Sequence, residues 1–310
     1  MRTAFINTLT RMAKRNPGIF LLTGDLGYSV IEGFRKDFPR RFFNIGVAEA
    51  NMAGIAAGLA LSGKTVFMYS IVPFVTMRCF EQIRNDICIQ NLKVRIIGAG
   101  GGLCYGSAGP THHSIEDISI MRSLPNMTVI CPGDPLEAES AISSSENYPG
   151  PVYIRLGKSK EPQVHSRIKG FKIGRGIVLH DGRDITIIST GNMLYTAAQV
   201  TSMLIKRKIS VSLISMHTVK PIDKEIIRRA SLKTKAIFTI EEHSIIGGLG
   251  SAVSEVLAEQ GRKINFKMIA LPDAYPKEIG SQEYLRSKLG LSAKDIEKTI
   301  LDSYNKRSGK

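Results

Sequence analysis

Glu49 is the residue in this chain whose type and setting most invite chemistry. It stands in the run GVAEANMAGIAAGLALSG, among Val47, Ala48, Ala50, Met52 and Ala53. Burial beside such neighbours penalises the charged carboxylate and favours a retained or shared proton, so the group can hold or pass a proton at a nearby heteroatom. The plainer role for a Glu at a helix start is to face the positive end of the helix dipole. His112 and His113 follow Gly109-Pro110-Thr111, at the end of the glycine-rich stretch GAGGGLCYGSAGP. A histidine in such a turn changes charge near neutral pH and can hydrogen-bond a substrate. Cys79, Cys88, Cys104 and Cys131 make no C-x-x-C pair and show no metal-ligand spacing. They are expected to be reduced packing residues, with neither a disulfide framework nor a metal site.

The elements that carry these residues read as alternating helices and strands. Phe5, Leu9 and Met12 recur at helical spacing over residues 3–15, and Asn16-Pro17-Gly18 stops that helix. IFLLTGDL and FFNIG read as strands, which puts Glu49 at the head of a helix so rich in Ala and Gly that another backbone must approach it closely. TVFMYS is the next strand. Residues 74–90, with Phe80, Ile83, Ile87 and Ile89, read as one helix, and VRIIGAG is a strand entering the glycine-rich loop. Ser114 with Asp117 fits a capping box, and MTVICPGDP gives another strand and its stop. This alternation predicts a parallel sheet covered on both faces.

The pattern breaks at residues 157–176, GKSKEPQVHSRIKGFKIGRG, which are polar, basic and aperiodic and read as an interdomain linker. It then restarts. DITIIST, ISVSLIS and AIFTIEEH are strands, a helix covers residues 193–207, and GGLGSAVSEVLAEQG is a helix opened by glycines. LSAKDIEKTILDSYNK is a last helix with a capping box at Ser292 and Asp295. The fold expected is α/β, with two consecutive domains, 1–165 and 166–310, each a mostly parallel sheet flanked by helices.

Bulk properties agree and exclude some classes. A chain of 310 residues with 43% apolar composition has material for about two packed cores. The formal charge of +15 is scattered through RNPGIF, KRKIS and RRASLKTK with no aromatic interleaving. Nucleic acid is therefore not an expected partner, and solvated faces plus a few phosphate contacts are. No apolar run reaches the roughly 18 residues of a membrane span, and MRTAFINTLTRMAKR lacks the features of a signal peptide, so a cytoplasmic location with no membrane partner is expected.

NIGVAEANMAGIAAGLALSG resembles the pyrimidine-binding domain of the transketolase family, in which a strand ends in a Gly-Val/Ala-x-Glu step before an Ala/Gly-rich helix. TGDL, FVTMRCFEQIRNDI, GPTHHSIEDISIMRSLPNM and CPGDPLEAESA fall in the family's order. SMHTVKPID and TIEEHSIIGGLGSAVSEVLAE look like its C-terminal domain, so the resemblance covers nearly the whole chain. It implies thiamine diphosphate as cofactor. In full-length relatives the diphosphate and its magnesium are held by an N-terminal domain with a Gly-Asp-Gly motif, which is absent here. The resemblance therefore implies one subunit of a split enzyme, whose partner is an N-terminal transketolase-like subunit holding diphosphate and magnesium. Active sites between chains imply an α2β2 assembly.

By the same resemblance, Glu49 is the carboxyl that stabilises the imino form of the cofactor's aminopyrimidine. Phe74 is the aromatic face for that ring, Asp25 an acidic residue at the subunit interface near it, and Arg78, in the FVTMRCFEQIR stretch, a further cofactor contact. His112 matches a histidine that touches the donor's hydroxyls. Arg2 and Lys158 fall where the family holds a sugar phosphate, with Arg155 just ahead of the second. Arg grips phosphate through paired hydrogen bonds, whereas Lys acts as a point charge. Two departures bear on substrate: Ala108 replaces an acidic residue before GPTH and Gly100 replaces a histidine, which implies a reshaped pocket. The activity implied is transfer of a two-carbon ketol unit between sugar phosphates. The alternatives are a decarboxylating relative, either 1-deoxyxylulose-5-phosphate synthase-like or a 2-oxoacid dehydrogenase beta subunit, and a non-catalytic subunit that keeps the fold.

Overall fold

The apolar runs resolve into two sheets in a computed structural model that describes residues 1–261 and 263–308. The chain runs α1 (Arg2–Arg15), β1 (Ile19–Thr23), α2 (Glu32–Asp37), β2 (Phe42–Asn44), α3 (Glu49–Leu61), β3 (Thr65–Ile71), α4 (Val72–Thr76) and α5 (Phe80–Gln82). It continues through β4 (Val94–Ala99), α6 (Asp117–Ser123), β5 (Thr128–Ile130), α7 (Pro135–Ser145) and β6 (Val152–Leu156). Then come β7 (Ile177–His180), β8 (Ile185–Ser189), α8 (Leu194–Lys206), β9 (Val211–Ser215), β10 (Thr218–Lys220), α9 (Lys224–Lys233) and β11 (Ala236–Ser244). The remainder is α10 (Leu249–Glu259), β12 (Asn265–Leu271), α11 (Gln282–Lys288) and α12 (Ala293–Ser308).

The first sheet has the order β10-β5-β6-β4-β3-β1-β2 and is parallel except at β10, which lies antiparallel on β5. The second, β12-β11-β8-β9-β7, is parallel except at β7. Two consecutive α/β units with mostly parallel sheets are therefore present. One strand crosses over, because β10 lies beyond residue 166 in sequence yet edges the first sheet. Every residue of β4 is buried, as a strand covered by helices on both faces requires. Side chains alternate along β3: Val66 and Met68 pack with Met52, Ala53 and Ala56 of α3, while Phe67 and Tyr69 pack with Phe5, Leu9 and Met12 of α1. Among the described residues no helix is long and apolar enough to cross a membrane.

Four local expectations need correction. The helix foreseen over residues 74–90 is broken: α4 stops at Thr76, Arg78 lies in the gap before α5, and Ile83–Cys88 is π-helical. Thr76 and Cys79 turn their side chains onto the carbonyls of Val72 and Val75, local bonds that accompany the break. Ser114 does not cap α6. The Asp117 carboxylate is fully buried and instead accepts the Tyr153 hydroxyl at 2.6 Å and Arg155 Nε at 2.8 Å. A buried charge needs such partners more than a helix end needs a cap. The close backbone approach expected at α3 is not seen at its glycines among the described residues, since a Cβ on Gly54 or Gly58 would meet nothing within 4 Å. The fourth, the role foreseen for Arg155, belongs to the site below. The box at Ser292 does form, with the Asp295 N–H donating to its Oγ at 3.3 Å.

Residues 157–176 contain no helix or strand, as a linker should, but they are pinned rather than loose. Asp134 Oδ2 accepts the backbone N–H groups of Val164 and His165 at 2.9 and 2.8 Å. It also lies 3.1 Å from His165 Nδ1, and the opposite ring nitrogen is 3.3 Å from Glu137. Glu137 in turn accepts the Ser215 hydroxyl of β9 at 2.6 Å, so one buried polar cluster joins α7, the linker and the second sheet.

Candidate active site

The carboxyl ends of β1 and β3 bring the chemically pointed residues together. Glu49 is the first residue of α3 and is 2% exposed. Its Oε1 accepts the hydroxyl of Ser70, from β3, at 2.9 Å, and its Oε2 accepts Arg78 Nη1 at 3.1 Å. Gly24, just past β1, abuts the same carboxylate, where an added Cβ would lie 3.0 Å from Oε1. The sequence reading placed this group among apolar side chains alone. The structure adds a hydroxyl and a cation, as a carboxylate withdrawn from water requires.

From Glu49 the site extends as a row. The Arg78 guanidinium lies 3.9 Å from the centroid of the Phe74 ring. Phe74 meets the His112 ring edge-on, with centroids 5.2 Å apart. His112 is followed at 6.3 Å by the Tyr105 ring, and the Lys158 ammonium stands 4.5 Å from the centre of that ring. Arg2 Nε donates to the Lys158 carbonyl and closes the row. Asp25 sits at the neighbouring edge, exposed and in a left-handed turn at φ 56°, its carboxylate accepting the Asn44 amide at 2.9 Å. Asn tolerates such company at the end of β2 because its amide both donates and accepts.

Arg155 does not join this row. Its side chain is 3% exposed and is spent on Asp117 and on the carbonyls of Ser114 and Glu242. Burial would lower its pKa, but the charge of Asp117 outweighs it and holds the guanidinium protonated, and its bond to the Glu242 carbonyl of β11 ties the two sheets together instead of leaving it to face a substrate phosphate. The two histidines also part company. His112 is half-buried beside Phe74, while His113 turns inward, 3% exposed, where burial pulls its pKa below the usual imidazole value.

Several residues that shape the site carried no local signal. Glu242 of β11 accepts the Leu103 N–H at 2.5 Å, the Gln282 amide at 2.8 Å and Arg286, and so clamps the start of the loop whose far end bears His112. Gly102 and Ser114 close that loop through paired backbone bonds of 2.9 Å. Ser70 and Tyr105 likewise gain their roles only through tertiary contact.

Residues 1–163 match the transketolase pyrimidine binding domain, and residues 174–296 match the transketolase C-terminal domain. The chain belongs to the transketolase family. That family is thiamine diphosphate dependent. This transketolase-family chain is 37% identical over 307 residues to an apulose-4-phosphate transketolase subunit of Phocaeicola vulgatus, spanning 98% of the chain and 97% of that protein. It is 36% identical over 297 residues to the 6-deoxy-6-sulfo-D-fructose transketolase subunit SqwH of Clostridium sp., spanning 96% and 92% respectively. A solved structure described as split gene transketolase, inactive beta4 tetramer, superposes with a TM-score of 0.91 at 39% identity and covers 98% of each chain. The residues present suit the cofactor's aminopyrimidine: a buried carboxylate acceptor stands within one side chain of an aromatic ring that is only half-buried.

Proposed function

We propose that this chain is one subunit of a two-chain, thiamine diphosphate-dependent transferase that moves a two-carbon ketol unit from a ketose phosphate to an aldose phosphate. Its pyrimidine-binding domain spans residues 1–165 and its C-terminal domain residues 166–310. The observation that carries the reading is the unbroken row from Glu49 through Phe74 and His112 to Lys158 and Arg2. When bound, thiamine diphosphate supplies the carbon nucleophile that takes the two-carbon unit from a ketose carbonyl and releases it to an aldehyde. Glu49 holds a proton at the ring nitrogen of the aminopyrimidine, Phe74 carries the ring face, and Arg78 and Asp25 border it. His112 hydrogen-bonds the donor's hydroxyls close to the reacting carbons. Lys158 and Arg2 take the anionic end of the sugar, and the two relatives above are named for sugars that end in phosphate or sulfonate. Arg155 is excluded from that role by its burial.

The partner in this proposal is an N-terminal transketolase-like subunit that holds diphosphate and magnesium. The assembly is α2β2, with the open Gly54–Gly58 face of α3 available for self-association. Calorimetric titration of thiamine diphosphate with magnesium tests the scheme. The mixture with the partner should bind saturably and the single chain should not. Turnover of ketose phosphates by the mixture would then complete the reading. Pyruvate turnover in their place would replace it with the decarboxylating one, and binding by neither preparation would leave a non-catalytic subunit.

A further inference from the structure

Tyr105 stands at the middle of the row and has no part in the proposed chemistry. Its ring lies directly on Gly100, where an added Cβ would sit 2.1 Å from Tyr105 Cε2. Gly100 also has φ 82°, a conformation that favours glycine, so the floor beneath the ring is kept clear twice over. The backbone at Tyr105 is fixed. Its carbonyl accepts the Ala108 N–H at 2.8 Å, and the next residue, Gly106, presses on the C-terminal unit, where a Cβ would lie 2.5 Å from the Gly280 carbonyl. The ring is thus a rigid wall between the imidazole of His112 and the ammonium of Lys158.

Lysine carries its charge on a stem with four rotatable bonds and loses much freedom when that charge is held at one place. Here the ammonium rests 4.5 Å from the Tyr105 ring centre while the Lys158 carbonyl is tied to Arg2. We propose that Tyr105 is the positioning residue that seats the Lys158 ammonium beside Arg2, and thereby fixes the distance from His112 at which a substrate must present its anionic group. The inference rests on the sugar-phosphate reading above. It assigns substrate length and charge to the aromatic wall rather than to any residue that touches the reacting carbons. The class favoured is an open-chain ketose with one terminal dianion or sulfonate that runs along the ring.

The test uses the complete two-chain enzyme with fructose 6-phosphate and fructose as donors, together with binding of inorganic phosphate to this chain followed by phosphorus NMR. Tyr105→Ala should lower the kcat/KM preference for the phosphorylated sugar about tenfold, through KM and with kcat little changed, and weaken phosphate binding about as much. Tyr105→Phe keeps the ring face and should match the wild type in both readouts. Tyr105→Leu, which keeps an apolar side chain over Gly100 but removes the ring face, should reproduce the loss and covers the case in which Tyr105→Ala fails to fold. Phosphate binding that survives Tyr105→Ala, an equal KM rise for both sugars, or a loss shared by Tyr105→Phe would overturn the inference. A wild-type complex that turns over no ketose overturns the ketol-transfer reading instead, and the phosphate titration still judges Tyr105.

Discussion

The carboxylate of Glu49 and the guanidinium of Arg78 meet at 3.1 Å, although the first is closed to water and the second is 45% exposed. The pair exists because the helix after β3 is broken at residues 77–79, which lets Arg78 reach back to the head of α3. An ion pair with one partner in solvent is worth little as a stabiliser, about 1 kcal/mol or less. Its value lies in placement. The same guanidinium covers the Phe74 ring, so one cation registers the carboxylate against the aromatic face.

Replacing Glu49 by Gln keeps the shape and the Ser70 contact but removes the carboxyl proposed to hold the proton. Turnover by the two-chain enzyme should fall by about 10²–10⁴, the usual span of general acid–base effects. The melting temperature should move little. Steady-state rates and a thermal melt on the same preparation check both parts, and a fully active E49Q enzyme would remove Glu49 from the chemistry.

Arg155→Met should behave in the opposite way. Leaving Asp117 buried and unpaired costs about 3–5 kcal/mol, to be read from urea unfolding. The KM for a sugar phosphate should stay put in whatever enzyme remains folded. A stable Arg155→Met protein with a raised KM would restore the phosphate role that burial argues against.

The contrast between these residues shows what the sequence made legible. Strand and helix order followed from apolar runs and stop signals, and Glu49, Phe74 and His112 stood out through their motifs because the residues that recognise a family are local in sequence. Arg155 misled because YIRLGK places it near Lys158, whereas β6 ends at Leu156: Arg155 is held inside the strand by Asp117, and Lys158 lies in the turn beyond it, on the row. Asp117 misled likewise: spacing fits a cap, but a cation 38 positions away claims the carboxylate. Clamps such as Glu242 with Arg286 join residues from separate elements, and no window of sequence displays them.

His112 and His113 are neighbours with separable fates. His112→Asn removes a half-buried ring that packs against Phe74 and Tyr105 and meets only the exposed Thr111 hydroxyl at 3.0 Å among the hydrogen bonds of the described residues, so stability should hold within about 0.5 kcal/mol while kcat/KM drops by about 10². His113→Ala empties a buried position and should cost about 1–3 kcal/mol of stability through lost packing. Urea midpoints and donor kinetics for both variants decide the matter, and an active H112N enzyme would move the donor contact elsewhere.

The cluster that pins the linker makes stability depend on pH. Burial alone would lower the His165 pKa, but the Asp134 hydrogen bond and the charges of Glu137 and Asp134 outweigh it and hold it above the usual value. Burial pushes Glu137 up to about 7 against the Ser215 and Gly133 hydrogen bonds, and Asp134 is held down at about 2, since its hydrogen bonds outweigh its own burial. A raised histidine gives stability that is whole below its unfolded value near 6.5 and is lost as pH climbs through the folded one. Glu137 has the same sign, because the folded chain keeps its proton longer than the unfolded chain does. His217 opposes them, but burial holds it to about 4, so its cost grows only as pH falls below about 6.5. Between about pH 6.5 and 8 the first two act alone, and the urea midpoint should fall with rising pH. His165→Gln should make the fall shallower across this window and leave the curve level only toward pH 8, where a Glu137 held at about 7 has largely titrated. A wild-type midpoint that is level or rises across that window would mean that His165 and Glu137 do not share protons in the way their geometry requires.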